Sequence, residues 1–184
     1  MQTATQTVEI VVPPEMAEYW ETANPGVVKY PAPVLREQSR PVRRVSPGVQ
    51  ALIDRMLKVM RDSEGLGFAA PQVGKLERVI IVASVDHKAI PLVNPEIVSR
   101  SDETITGQEG CLSLPGLYGD VERHETVEVR GLDRKGRAVR LTLSGMAARV
   151  AQHEIDHLDG VLFTDRAVAS TLHWQIPTED DEQI

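Results

Sequence analysis

Residues 144–160 read Ser144-Gly145-Met146-Ala147-Ala148-Arg149-Val150-Ala151-Gln152-His153-Glu154-Ile155-Asp156-His157-Leu158-Asp159-Gly160, and their pattern decides how the rest of the chain is read. Ser144 can cap a helix and Gly160 can close it. At about 100° per residue, His157 lies roughly 40° around that helix from His153 and one turn along. Both imidazoles can therefore reach one metal ion. Glu154, at about 100° on the same count, can contact a water beside the metal rather than the metal itself. Met146, Ala147, Val150, Ala151, Ile155 and Leu158 form a wide apolar sector. The histidines stand at one margin of that sector and Glu154 stands inside it, while Arg149, Gln152, Asp156 and Asp159 occupy the remaining arc. A carboxylate in a buried sector is costly without a compensating cation. This weighs towards a metal site and against a mere pair of satisfied polar histidines.

Two histidines leave such a site incomplete, because catalytic metals are usually held by three protein ligands and a water. Zinc endopeptidases with this motif take the third ligand from downstream, either a histidine six residues after the second or a glutamate farther on. Position 163 is Phe163, and Glu179 and Glu182 fall after Pro177 in an acidic tail with no apolar pattern to anchor them. The remaining soft ligand is Cys111, in Glu109-Gly110-Cys111-Leu112-Ser113. A lone cysteine is most often a small buried hydrophobe. This one stands on a short segment between extended pieces, beside a glycine that permits close backbone approach. One thiolate and two imidazoles suit a divalent transition metal. A third segment, Gly65-Leu66-Gly67-Phe68-Ala69-Ala70-Pro71-Gln72-Val73-Gly74, lacks the Lys-Ser/Thr of a phosphate loop. Its small residues and single amide fit a strand edge that a peptide approaches, or a plain loop.

Around these segments the chain is regular from Val27 onward. After Ser46-Pro47, apolar residues at Val49, Leu52, Ile53, Met56, Leu57 and Met60 have helical spacing, and Gly65 ends the helix. Val79 to Val82 reads as a buried strand, and Ile90 to Val98 as a second extended piece broken at Pro95. Thr126 to Arg130 and Ala138 to Leu143 alternate about a polar turn as an antiparallel hairpin. Helices and antiparallel strands are segregated, so the expected class is α+β. Residues 1–26, interrupted by Pro13, Pro14 and Pro25, are expected to be an arm on the surface or along the core. Residues 27–176 form the expected catalytic domain, and the acidic tail 177–184 is expected to be disordered. The 184 residues suffice for one core, and the formal charge of −7 argues against a nucleic-acid binder. With one cysteine there is no internal disulfide, and no apolar run approaches the roughly 18 residues of a membrane span. The first 25 residues have neither a signal-like apolar block nor basic character. Cytoplasm is the expected compartment, with an organellar matrix left open.

In their order, Gly65 to Gln72, Glu109 to Ser113, and Gln152 to His157 followed by Leu158 and Gly160 resemble the three blocks of the peptide deformylase family. The resemblance runs from about Val27 to Asp165 and includes Tyr30-Pro31-Ala32-Pro33-Val34-Leu35-Arg36. It implies antiparallel β-sheets packed around a central helix carrying the two histidines. It implies removal of the N-formyl group from the initiator methionine of nascent polypeptides by attack of a metal-bound water. Cys111, His153 and His157 would be the ligands and Glu154 the catalytic carboxylate. Gln72 and the Leu112 N–H would donate to the formyl oxygen, and Gly65, Leu66, Gly67 and Gly110 would border the substrate. Glu109 and Arg123 would form a supporting ion pair. Iron(II) is the implied metal, replaceable by zinc, nickel or cobalt. Transient contact with the ribosome is a further implication. Phe68 stands where leucine or isoleucine is common, and Tyr118 where many bacterial members have a basic residue, so substrate preference is less firmly implied than the reaction.

Overall fold

A computed structural model describes residues 8–83 and 88–176. The tail 177–184 lies outside the described residues. Eight strands and three α-helices follow one another as α1 (Ala17–Thr22), α2 (Pro47–Asp62), β1 (Gly67–Ala69), β2 (Val79–Ala83), β3 (Ala89–Arg100), β4 (Thr104–Cys111), β5 (Leu114–His124), β6 (Thr126–Leu132), β7 (Ala138–Ser144), α3 (Gly145–Leu158) and β8 (His173–Trp174), among the described residues. One sheet has the order β1-β2-β3-β6-β7 and the other β4-β5-β8, and their strand pairs are antiparallel. The class is α+β.

The apolar run of β2 is explained by cover on both faces. Val79 and Ile81 join Ile53, Met56 and Met60 of α2 in one buried cluster, while Ile80 and Val82 join Val150, Ala151, Ile155 and Leu158 of α3 in a second. The five-stranded sheet is thus sandwiched between the two long helices. The Ser46 hydroxyl accepts from the Val49 N–H at 3.3 Å and caps α2 as its sequence predicts. Ser144 does not cap α3 in the same way: its hydroxyl is bonded to the Thr126 hydroxyl at 2.9 Å instead.

One further expectation changes. Pro95 does not end the extended piece it sits in. The register of β3 against β6 shifts between Val93 and Glu96, and Asn94 absorbs the irregularity at a φ of 51°. Its side-chain amide both accepts from the Val42 N–H and donates to the Val42 carbonyl, each at 2.8 Å. Of the two placements open to the arm, on the surface or along the core, its described part takes the second for two of its side chains. Pro14–Met16 form a 3-10 turn that leads into α1, and Met16 and Trp20 are buried. Trp20 joins Cys111, Leu114, Leu117, Val121 and Phe163 in the third cluster and meets Trp174 edge to face at 5.9 Å.

Candidate metal centre

Helix α3 is buried from Ala147 to Leu158, including Arg149, Gln152 and Asp156 of the polar arc, while Met146 at its start and Asp159 just past its end are exposed. Its apolar side lies on the five-stranded sheet, and Arg149, Gln152 and Asp156 face the β4–β5 hairpin. The Arg149 guanidinium donates to Glu109 Oε1 at 2.9 Å and to the carbonyls of Val121 (2.9 Å) and Ile105 (2.7 Å). A Cβ on Gly107 would come within 3.1 Å of Arg149 Nη2, so a glycine there leaves the guanidinium its space. Gln152 bonds both main-chain groups of His124, and Asp156 accepts from Arg123 (2.6 Å) and Arg166 (2.6 and 2.7 Å). Packed on two sides, the helix has no solvated arc between Ala147 and Leu158. These polar residues are buried because each has a partner on the hairpin or on the segment after α3.

This clamp brings the last residue of β4, Cys111, against α3. Ligand atoms of Cys111, His153 and His157 all lie within 4.8 Å of one another, and all three residues are buried. Cys111 Sγ is 3.3 Å from His157 Nε2. His153 Nδ1 is held by Glu109 Oε2 at 2.9 Å, which leaves Nε2 as the ring's other nitrogen. That buried Nε2 has no hydrogen-bond partner among the described residues. Glu109 in turn is bidentate with Arg123 at 2.8 and 3.0 Å. Burial alone would raise the Glu109 pKa, but the hydrogen bonds from His153 and Arg123 outweigh it and hold the carboxyl well below its ordinary range. Such a carboxylate behind a histidine is the usual device for fixing ring orientation at a metal.

Glu154 is 1% exposed, and its Oε2 has no hydrogen-bond partner among the described residues. Burial pushes its pKa up to about 7, with nearby His153 opposing the rise. Gly67 of β1 lies against it so closely that a Cβ there would sit 2.5 Å from Glu154 Oε1. Gln72 is buried as well. Its Oε1 accepts from the Ala69 N–H at 2.9 Å, which turns Nε2 towards Ser113 Oγ (3.2 Å) and Cys111 Sγ (3.8 Å). Leu112, next in chain to the cysteine, is fully buried, and a Cβ on Gly65 would meet its Cδ1 at 2.8 Å. A Cβ on Gly110 would meet the Tyr118 ring at 2.7 Å.

Strand β1 is an edge of its sheet. The Leu66 carbonyl accepts from the Ala83 N–H at 2.8 Å and so faces β2. By antiparallel alternation the main-chain groups of Gly67 face the open edge instead. The three segments singled out in the sequence therefore meet at one place. Arg149, Asp156 and Asn24 were not singled out. The wheel placed the first two on the arc outside the apolar sector, and Asn24 Nδ2 donates to the Leu112 carbonyl from 88 positions away, at 2.9 Å.

Residues 25–172 match the model of the family described as polypeptide deformylase. A peptide deformylase of Desulforudis audaxviator is 47% identical over 141 residues, covering 77% of this chain and 92% of that protein. One from Alkalilimnicola ehrlichii is 47% identical over 142 residues, covering 76% and 79%. Among solved structures, the class I type b peptide deformylase of Acinetobacter baumannii superposes with a TM-score of 0.75 at 43% identity, covering 79% of this chain and all of that one. Peptide deformylase 1B of Arabidopsis thaliana superposes at 0.74 and 38% identity, covering 79% and 82%. A site built from three ordered segments, a fold shared with solved relatives and a family match across most of its length agree: this chain belongs to the polypeptide deformylase family.

Proposed function

We propose that the protein removes the N-formyl group from the initiator methionine of nascent polypeptides and releases formate, with Cys111, His153 and His157 holding one divalent metal. The observation that supports this reading is the convergence of three buried donor atoms within 4.8 Å beside a carboxylate oxygen that has no partner among the described residues. The orphaned His153 Nε2 and the thiol–imidazole pair suit iron(II), the expected metal, and would also accept zinc, nickel or cobalt. When bound, the metal supplies Lewis acidity, which polarises a carbonyl and acidifies water.

The chain's own residues do the rest. Glu154, with a pKa near neutrality, takes a proton from water and returns it to the departing amine nitrogen. Gln72 Nε2 and the Leu112 N–H donate to the formyl oxygen as negative charge gathers there. The substrate main chain adds to the open edge of β1 at Gly67, bordered by Gly65, Leu66 and Gly110. In this reading α3 is the central helix, with sheets packed around it. Residues 27–176 are the catalytic unit and nascent chains are the partners, met in transient contact with the ribosome in the cytoplasm.

Formate release from a formyl-Met peptide, run beside anaerobic metal analysis, tests the assignment. Glu154→Ala keeps its metal and loses about 10²-fold or more in rate, whereas Cys111→Ala loses the metal. Substantial activity in the first variant, or full metal content in the second, removes that residue from its role.

A further inference from the structure

We propose that Asn24 is a positioning residue for the formyl-oxygen site, its side-chain amide fixing the peptide plane that follows the Leu112 N–H. The inference rests on the reading that this N–H donates to the formyl oxygen. Asn24 stands just upstream of the span that matches the family model, residues 25–172. Its Nδ2 donates to the Leu112 carbonyl at 2.9 Å in a part-buried contact. Leu112 Cα is the pivot between the plane carrying its N–H and the plane carrying its carbonyl. Holding the second plane limits rotation of the first.

The local sequence aims Asn24 at that carbonyl. Its φ is 50°, a conformation that asparagine tolerates better than most side chains. The Asn24 carbonyl accepts from the Val27 N–H at 3.1 Å, Pro25 precedes Gly26, and Gly26 has a φ of 88°. Those are the marks of a type II turn. Upstream, α1 is anchored through Met16 and Trp20. Downstream, the Val28 N–H donates to the Gln72 carbonyl at 2.8 Å and the Tyr30 N–H to the Ser113 carbonyl at 2.9 Å. Segment 24–30 therefore grips a carbonyl at each of the two proposed donors and at Ser113. The Leu112 carbonyl is the one among these held by a side chain, so a single substitution can release it.

The test uses the full-length, metal-loaded protein with Asn24→Gly and Asn24→Asp. Glycine keeps the backbone conformation and deletes the donor. Aspartate keeps the shape but sets an acceptor against the carbonyl. Both variants are expected to lower kcat about tenfold, less than deleting an oxyanion donor outright, with KM for a formyl-Met tripeptide and metal content unchanged. Amide exchange at Leu112 and Ser113 should quicken in both. Unchanged exchange overturns the proposal, as does a rate loss that only follows lost metal or lost folded protein. Quickened exchange with unchanged kcat also overturns it, and Gln72→Leu then locates the failure. A slow Gln72→Leu enzyme confines the error to Asn24, whereas an unaffected one sinks the formyl-oxygen reading as well.

Discussion

Glu154 illustrates how much one side chain's surroundings determine. Its pKa of about 7 lies above the 4.5 of an ordinary glutamate because burial penalises the anion. A carboxyl whose folded pKa is raised contributes stability at low pH, and that contribution is lost as pH rises from about 4.5 through 7. The metal-free protein should accordingly lose on the order of 3 kcal/mol between pH 4.5 and pH 8 from this group, at about 1.4 kcal/mol per pH unit. Glu154→Gln should flatten the dependence, which urea unfolding of chelator-treated protein at pH 5 and pH 8 reads directly; equal slopes would refute it. Arg149 presents the opposite case, a buried cation satisfied by one carboxylate and several carbonyls. Arg149→Met should destabilise by about 3 kcal/mol, since removing one partner strands the others. Combined with Glu109→Gln, the loss should fall short of the sum in the same unfolding assay. Glu154's burial was legible from helical spacing alone. That of Arg149 was not, because a wheel shows which residues share a face and says nothing of a second surface waiting to pair with the polar one.

At the scale of elements, legibility followed period and cover. Helix α2, strand β2 and the β6–β7 hairpin each repeat at the spacing of their own geometry, so local pattern and tertiary burial agree. The β4–β5 hairpin escaped notice because Thr104 to Gln108 have little apolar content, and only its later residues, Cys111, Leu114, Leu117 and Val121, enter an apolar cluster. Helix α1 is six residues long, too short for a period to declare itself, and it is held because Trp20 enters the third cluster and Met16, just before it, is buried. The spacing between β1 and α3 is set by the missing side chain at Gly67, where a Cβ would also lie 2.5 Å from Val150 Cγ1. Gly67→Ala should therefore push β1 and Glu154 apart. Formate release should fall at least about tenfold while metal content holds; a variant with normal activity would show that the close approach is dispensable.

Across the whole molecule, the candidate ligands come from two different layers, the cysteine sulfur from the end of β4 and the imidazoles from α3. A metal bound there ties the small sheet to the helix and stabilises the folded form by mass action. Chelation should lower the thermal midpoint, and free metal at about 100 times its dissociation constant should restore about 2.7 kcal/mol. An unchanged midpoint would mean that no metal binds the folded form in preference to the unfolded one. No described helix is long and apolar enough to cross a membrane. Trp20 and Trp174 are the two tryptophans of the chain, and they stand edge to face where residues from its opposite ends come together beside Cys111. Intrinsic fluorescence will therefore report this junction and little else: a shift in emission records the two segments parting near Cys111, while the helical dichroism of α2 and α3 records the loss of everything behind it.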